Sequence, residues 1–170
     1  MKNLLLPVLS LAVLLGACSI AQQTNSDFSA EDQMFAAMMI PHHKQAIELS
    51  DLALLISANP EIKALATEIR AAQAPEIVQM QGWGASDAGS HVGHVMSGMV
   101  SDDDMKKLAA ATGSEFDRLF LEGMIDHHQG AIVMAEMVLE SRNAVAAALG
   151  KSIVESQALE IEKMRKLLQR

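Results

Sequence analysis

Apolar residues recur three and four positions apart along most of the chain, and alternating β-branched runs are nearly absent. That spacing predicts helices with one buried face. Ala, Leu, Met, Glu, Gln and Lys dominate, and all are strong helix formers. The first long helix is expected from about Ser29 to Ser57. Ser29-x-x-Asp32 resembles a capping box at its start, and Asn59-Pro60 breaks it. The second is expected from about Pro60 to Gln81, with Pro60 tolerated in its first turn. Gly82, Gly84, Gly89, Gly93 and Gly98 then mark a loop. A short helix follows Ser101, where Asp102, Asp103 and Asp104 suit the positive end of the helix dipole, and Gly113 ends it. A third long helix is expected from Ser114 to about Arg142, and a fourth from about Ala144 to Gln169.

The halves of this pattern repeat. Phe35, Met39, Ile40, His42, His43, Ala46 and Ile47 align with Phe120, Met124, Ile125, His127, His128, Ala131 and Ile132. After the break, Gln73-x-x-Glu76-Ile77-x-x-Met80 matches Gln157-x-x-Glu160-Ile161-x-x-Met164. Each half is therefore a helical hairpin, with a His-His helix followed by a Gln-Glu-Met helix. Two such hairpins pack most simply as an all-α four-helix bundle with pseudo-two-fold symmetry. The bundle is expected over residues 29–170, with repeats at about 29–82 and 114–169 and a crossover at 83–113.

The first residues follow another pattern. Lys2 precedes an apolar run from Leu4 to Leu15, and Leu15-Gly16-Ala17 leads into Cys18, the only cysteine. The run falls short of the about 20 apolar residues that span a bilayer. This arrangement resembles the lipobox of bacterial lipoproteins. The resemblance implies a signal peptide at 1–17, cleavage before Cys18, and a lipid on its thiol that anchors the protein in the membrane. Residues 18–28 are small and polar and suit a flexible tether. Ser19 is not the Asp associated with inner-membrane retention. The lipoprotein resemblance therefore implies an exported protein, on the outer membrane facing the periplasm if the host is Gram-negative.

Composition narrows the function. The formal net charge is −8, which argues against a nucleic-acid partner and against docking on anionic lipid by charge. With the one cysteine reserved for lipid, neither a disulfide framework nor a cysteine metal site can form. Methionine is abundant, with 12 in the chain, while Tyr is absent and only four Phe and one Trp occur. That scarcity of rings is unsuited to stacking sugars or nucleobases.

The MIPHHKQAI and MIDHHQGAIVMAE runs, with FDRLFLEGM before the second, resemble the bacterial family called domain of unknown function 305. The resemblance covers nearly all of the chain after the tether. It implies a ferritin-like four-helix bundle, and some members are associated with copper handling outside the cytoplasm.

Residues three or four apart share a helix face, so Met39 lies under His42 and His43, and Met124 under His127 and His128. Glu76 shares a face with Met80, and Glu160 with Met164. A pseudo-two-fold bundle draws these imidazoles, carboxylates and thioethers toward one axis, which is an inventory for a metal ion. Adjacent histidines point about 100° apart, and the pattern does not choose which one of each pair is a ligand. Pro41 predicts a kink beside His42, and Asp126 at the matching place is a candidate to orient a histidine ring from outside the ligand set. His91, His94, Met96 and Met99 in the crossover offer a second candidate site. Imidazole and thioether without thiolate suit copper. Zinc and iron remain open, although the Glu-x-x-His spacing of di-iron bundles is absent.

Three functions remain. The first is an envelope lipoprotein that binds copper for sequestration or delivery. The second is a structural or interaction lipoprotein, with an envelope protein as partner, whose His–Glu network only stabilises the bundle. The third and weakest is a metal-dependent oxidoreductase. Enzyme readings do poorly, because nucleotide fingerprints and nucleophile elbows are missing and no nucleophile stands out.

Overall fold

Ser29 opens the first helix in both directions at once. Its hydroxyl accepts from the Asp32 backbone N–H at 3.1 Å, and the Asp32 carboxylate accepts from the Ser29 N–H at 2.8 Å. The helix that follows, α1, covers Ala30–Ile56 and continues through Pro41. The Asn59 side chain accepts from Glu61 N–H at 2.9 Å and starts α2, Pro60–Gln81, which also contains Pro75. Ser101 caps the short α3, Asp102–Ala110. Then come α4, Gly113–Ala135, and α5, Ala144–Leu168, the latter capped by the Asn143 side chain. The computed structural model describes residues 27–84 and 96–170. The expected leader and Cys18 lie outside the described residues.

The four long helices pair as the repeat requires. α1 packs on α2, α4 packs on α5, and the two hairpins meet chiefly through α1 against α4. Ser57 donates to Asp117 at 2.6 Å and ties the hairpins together at one end. The protein is an all-α bundle, and none of its described helices is long and apolar enough to cross a membrane.

The third long helix is shorter than its composition predicts. It stops at Ala135, and a 3-10 turn at Glu136–Val138 follows where helix was expected to about Arg142. The cause lies in α5. A Cβ on Gly150 would come 2.7 Å from Val138 Cγ2 and 3.1 Å from the Ala135 carbonyl. This close approach of α5 bends the chain, and local propensity carries no record of it.

The core divides into two apolar clusters. One holds Leu49, Leu65, Phe116, Phe120, Met124 and Met164. The other holds Phe35, Met39, Met80, Trp83, Val138 and Ile153. Trp83 stacks on Phe28, with ring centroids 4.7 Å apart and planes 13° apart. α1 runs from the second cluster into the first and α4 runs the other way, so the middle of each helix crosses the space between them. That is where the histidines fall.

Candidate metal centre

His42 and His43 lie at the middle of α1, His127 and His128 at the middle of α4, and all four are fully buried. Antiparallel packing brings His42 and His127 face to face, with ring centroids 3.7 Å apart and planes tilted by 38°. Their neighbours turn outward, each to its own hairpin partner. His43 Nε2 lies 2.8 Å from Glu76 Oε2 on α2, and His128 Nε2 lies 2.7 Å from Glu160 Oε2 on α5. One histidine of each pair thus faces across the bundle and the other bonds a carboxylate, the division that sequence left open.

These contacts assign the ring protons. A carboxylate or carbonyl oxygen accepts, so the nitrogen facing it carries the hydrogen. His43 and His128 donate from Nε2 to their glutamates, and His42 donates from Nε2 to the Ser97 carbonyl at 3.1 Å. Nδ1 is the other ring nitrogen of each. Those three Nδ1 atoms, and both nitrogens of His127, have no partner among the described residues. A buried polar group left unpaired costs about 1–3 kcal/mol. Several ring nitrogens left unpartnered in one layer fit a cation, whose histidine ligands usually donate their other N–H to a carboxylate or carbonyl.

His42 and His127 are held neutral. Burial foremost, and then the nearby rings of His43 and His128, push His42 down to about 3 against the raising effect of the Ser97 bond. Burial, followed by His42, His128 and His43, pushes His127 down to about 2. Neutral imidazole is the form that ligates a metal.

Met39, Met80, Met124 and Met164 are all fully buried, but they divide between layers. Met39 and Met80 belong to one apolar cluster and Met124 and Met164 to the other, so a thioether pair flanks the histidines on each side. Among the described residues, no three His, Asp or Glu side chains converge as a ready ligand set. A metal held here would draw on imidazole together with thioether.

A strap covers the His42–His127 pair. Gln45 clamps Val100 from both sides, donating to its carbonyl at 2.9 Å and accepting from its N–H at 2.8 Å. Gly98 has φ of 81°, and a Cβ there would strike the Asp126 carbonyl. A Cβ on Gly130 would strike the Ser97 carbonyl. Two glycines therefore let the crossover lie directly on α4. Met96 and Met99 are half-buried in this strap, with Met96 against the cluster of Met39 and Met80. Their expected companions His91 and His94 lie outside the described residues.

Asp126 corrects an expectation. Its side chain is exposed and bonds to no histidine among the described residues, because its place on α4 faces away from the layer. The groups that orient the rings are Glu76, Glu160 and the Ser97 carbonyl. Gln73 and Gln157 were missed as site residues. Both are 2% exposed, one turn before the glutamates, and both amides have unpartnered atoms. Their matched places in the repeat were the available signal.

A duplicated helical hairpin with a buried histidine layer at its centre defines the class. The profile of the Domain of unknown function (DUF305) family matches residues 32–168, and the chain belongs to that family. It is 30% identical to a DUF305 fragment from Deinococcus radiodurans, with a TM-score of 0.75 over 84% of this chain and 97% of that one. A DUF305 protein from Streptomyces coelicolor, named as secreted, is 32% identical with a TM-score of 0.75 over 82% of this chain and 92% of that one. CopM in its Cu(II)-bound form is 35% identical, with a TM-score of 0.69 over 81% of this chain and 95% of that one. CopM also has Cu(I)-bound and Ag-bound forms among these similar structures. No curated protein matches the chain significantly.

Proposed function

We propose that this protein is an exported lipoprotein, anchored through Cys18, that binds copper in its histidine layer for sequestration or delivery. The observation that carries the reading is the set of unpartnered ring nitrogens on four fully buried histidines. The donor set supports a soft ion, since imidazole lone pairs lie between two buried thioether pairs. The likeness to copper-bound CopM supports the same choice. His42, His43, His127 and His128 are the proposed ligands, with Met39, Met80, Met124 and Met164 as thioether donors. Glu76 and Glu160 orient the rings of His43 and His128. Bound copper would be held by imidazole and thioether donors.

The test is titration of Ser19–Arg170 with Cu(I) under anaerobic conditions, and with Cu(II) and Zn(II) in air. A variant with all four histidines replaced by alanine is titrated alongside. Tight binding to the parent that the variant loses is the expected outcome. Equal binding by the two would sink the assignment.

A second reading is favoured by the two His–Glu bonds themselves, which recur at matched places in the hairpins. A purely structural network would need them and no metal. It predicts that His128→Ala lowers the melting temperature equally with and without copper.

A further inference from the structure

We propose that the groove between α2 and α5 beside Glu76 is the port through which a soft monovalent cation enters and leaves the histidine layer. The proposal rests on the metal-binding reading above and adds a route to it. All four histidines are fully buried, whereas the Glu76 side chain is 16% exposed and bonds His43. Glu76 therefore touches both solvent and the layer. On the opposite side the strap closes access, because the Ser97–Gly98 backbone lies directly against α4. The groove at Glu76 has a volume of about 380 Å³ and is lined by Ala72, Pro75 and Gln79 of α2 and Ala148 and Ser152 of α5. Those side chains are short or neutral. Among the described residues that line the mouth, the one charge is the Glu76 carboxylate, which attracts a cation.

Glu160 bonds His128 and is 16% exposed just as Glu76 is, so the repeat gives two related mouths, which differ in the residues that stand across them. The register that pairs Gln73 with Gln157 and Glu76 with Glu160 also pairs Gln79 with Lys163 and Glu68 with Ser152. Lys163 and Glu68 form an ion pair across α5 and α2 beside the Glu160 side of the layer. Arg170 and Glu61 form another farther along the same face. At the related places stand Gln79 and Ser152, which line the groove. Duplication thus gives two related mouths, and a pair of long charged side chains spans one of them.

The experiment places across this mouth the charged pair that spans the other. Gln79→Lys with Ser152→Glu leaves the net charge unchanged and reproduces Lys163–Glu68 at the groove. Cu(I), delivered from a weak chromophoric chelator under anaerobic conditions, is followed by stopped flow, and its equilibrium affinity by competition. The expected result is association slowed by about tenfold with the equilibrium affinity retained, since a blocked route slows entry and exit alike. Lys163→Gln with Glu68→Ser is expected to match or exceed the parent's rate. An unchanged rate in the closed variant, with tight binding in both proteins, would overturn the port and leave the metal site standing. Absence of equilibrium binding in the parent would overturn the site and the port together. If the closed variant melts well below the parent, Ser152→Gln fills the mouth with one neutral side chain and carries the same expectation.

Discussion

His42 and His127 meet ring to ring, 3.7 Å apart, although they come from opposite halves of the chain. Two imidazolium ions would repel strongly at that distance, so the contact belongs to the neutral rings. It makes the middle of the bundle sensitive to acid.

The folded rings of His42 and His127 take up protons only near about 3 and about 2, against 6.5 when unperturbed. Between those values the unfolded chain binds more protons than the folded one, so stability rises with pH. It is fully present above 6.5 and is lost as the pH falls toward about 3. Denaturant unfolding at neutral pH and near pH 4.5 should show this slope. A His42→Ala/His127→Ala variant should show a much flatter one, and an equal slope would refute the assignment.

Removing His43 leaves Glu76 without its ring partner. His43→Ala is expected to cost about 2–4 kcal/mol in the metal-free protein, from the lost bond and the cavity together. If copper binds in this layer, the rise in melting temperature on adding copper should also shrink in the variant. An unchanged rise would remove His43 from the proposed ligands.

Gly130→Ala sets two effects against each other. Alanine favours a helix over glycine by about 1 kcal/mol. The added methyl, however, meets the Ser97 carbonyl, which is backbone and has little room to yield. The clash should win, with a net loss of about 1–3 kcal/mol. Faster hydrogen exchange at Val100, whose N–H is held by Gln45, would show the strap lifting. Net stabilisation would mean that the strap does not lie on α4.

Gln73 carries a buried amide with no partner among the described residues. Replacing such a group by an apolar one of similar shape is close to neutral. Gln73→Leu is therefore expected to change metal-free stability by less than about 1 kcal/mol. A larger loss would reveal a hydrogen bond that the amide makes in solution.

Cys18→Ser tests the anchor. The expected outcome is an unprocessed precursor without lipid, read from the intact mass and from loss of detergent partitioning. A mature mass identical to the parent's would rule out lipidation at Cys18.

Much of the fold was legible because it depends on local chemistry. Ser29 with Asp32, Asn59 with Pro60, and Ser101 before three aspartates each mark a helix start, and the structure places helices there. The two-fold repeat gave the hairpins and the helices that carry the ligand types. What sequence could not give was direction. His42 and His43 both border the apolar stripe of α1, and only the crossing of α1 with α4 decides which one meets His127. The same limit explains Asp126, whose outward place depends on how α4 sits. It also explains the early end of α4, which depends on Gly150 approaching from a different helix. Gln73 and Gln157 were visible in the repeat, but an amide carries no distinctive chemistry until its burial is known.

The chain has a single tryptophan, and its place beside Phe28 gives the molecule a built-in optical reporter. Trp83 is 2% exposed and shares a cluster with Met39 and Met80. Its emission originates in a dry environment and at one position, without background from other indoles. A change at those thioethers, or a loosening of the contact with Phe28, would alter that emission. Fluorescence from the unlabelled protein can therefore follow events in this half of the core in real time.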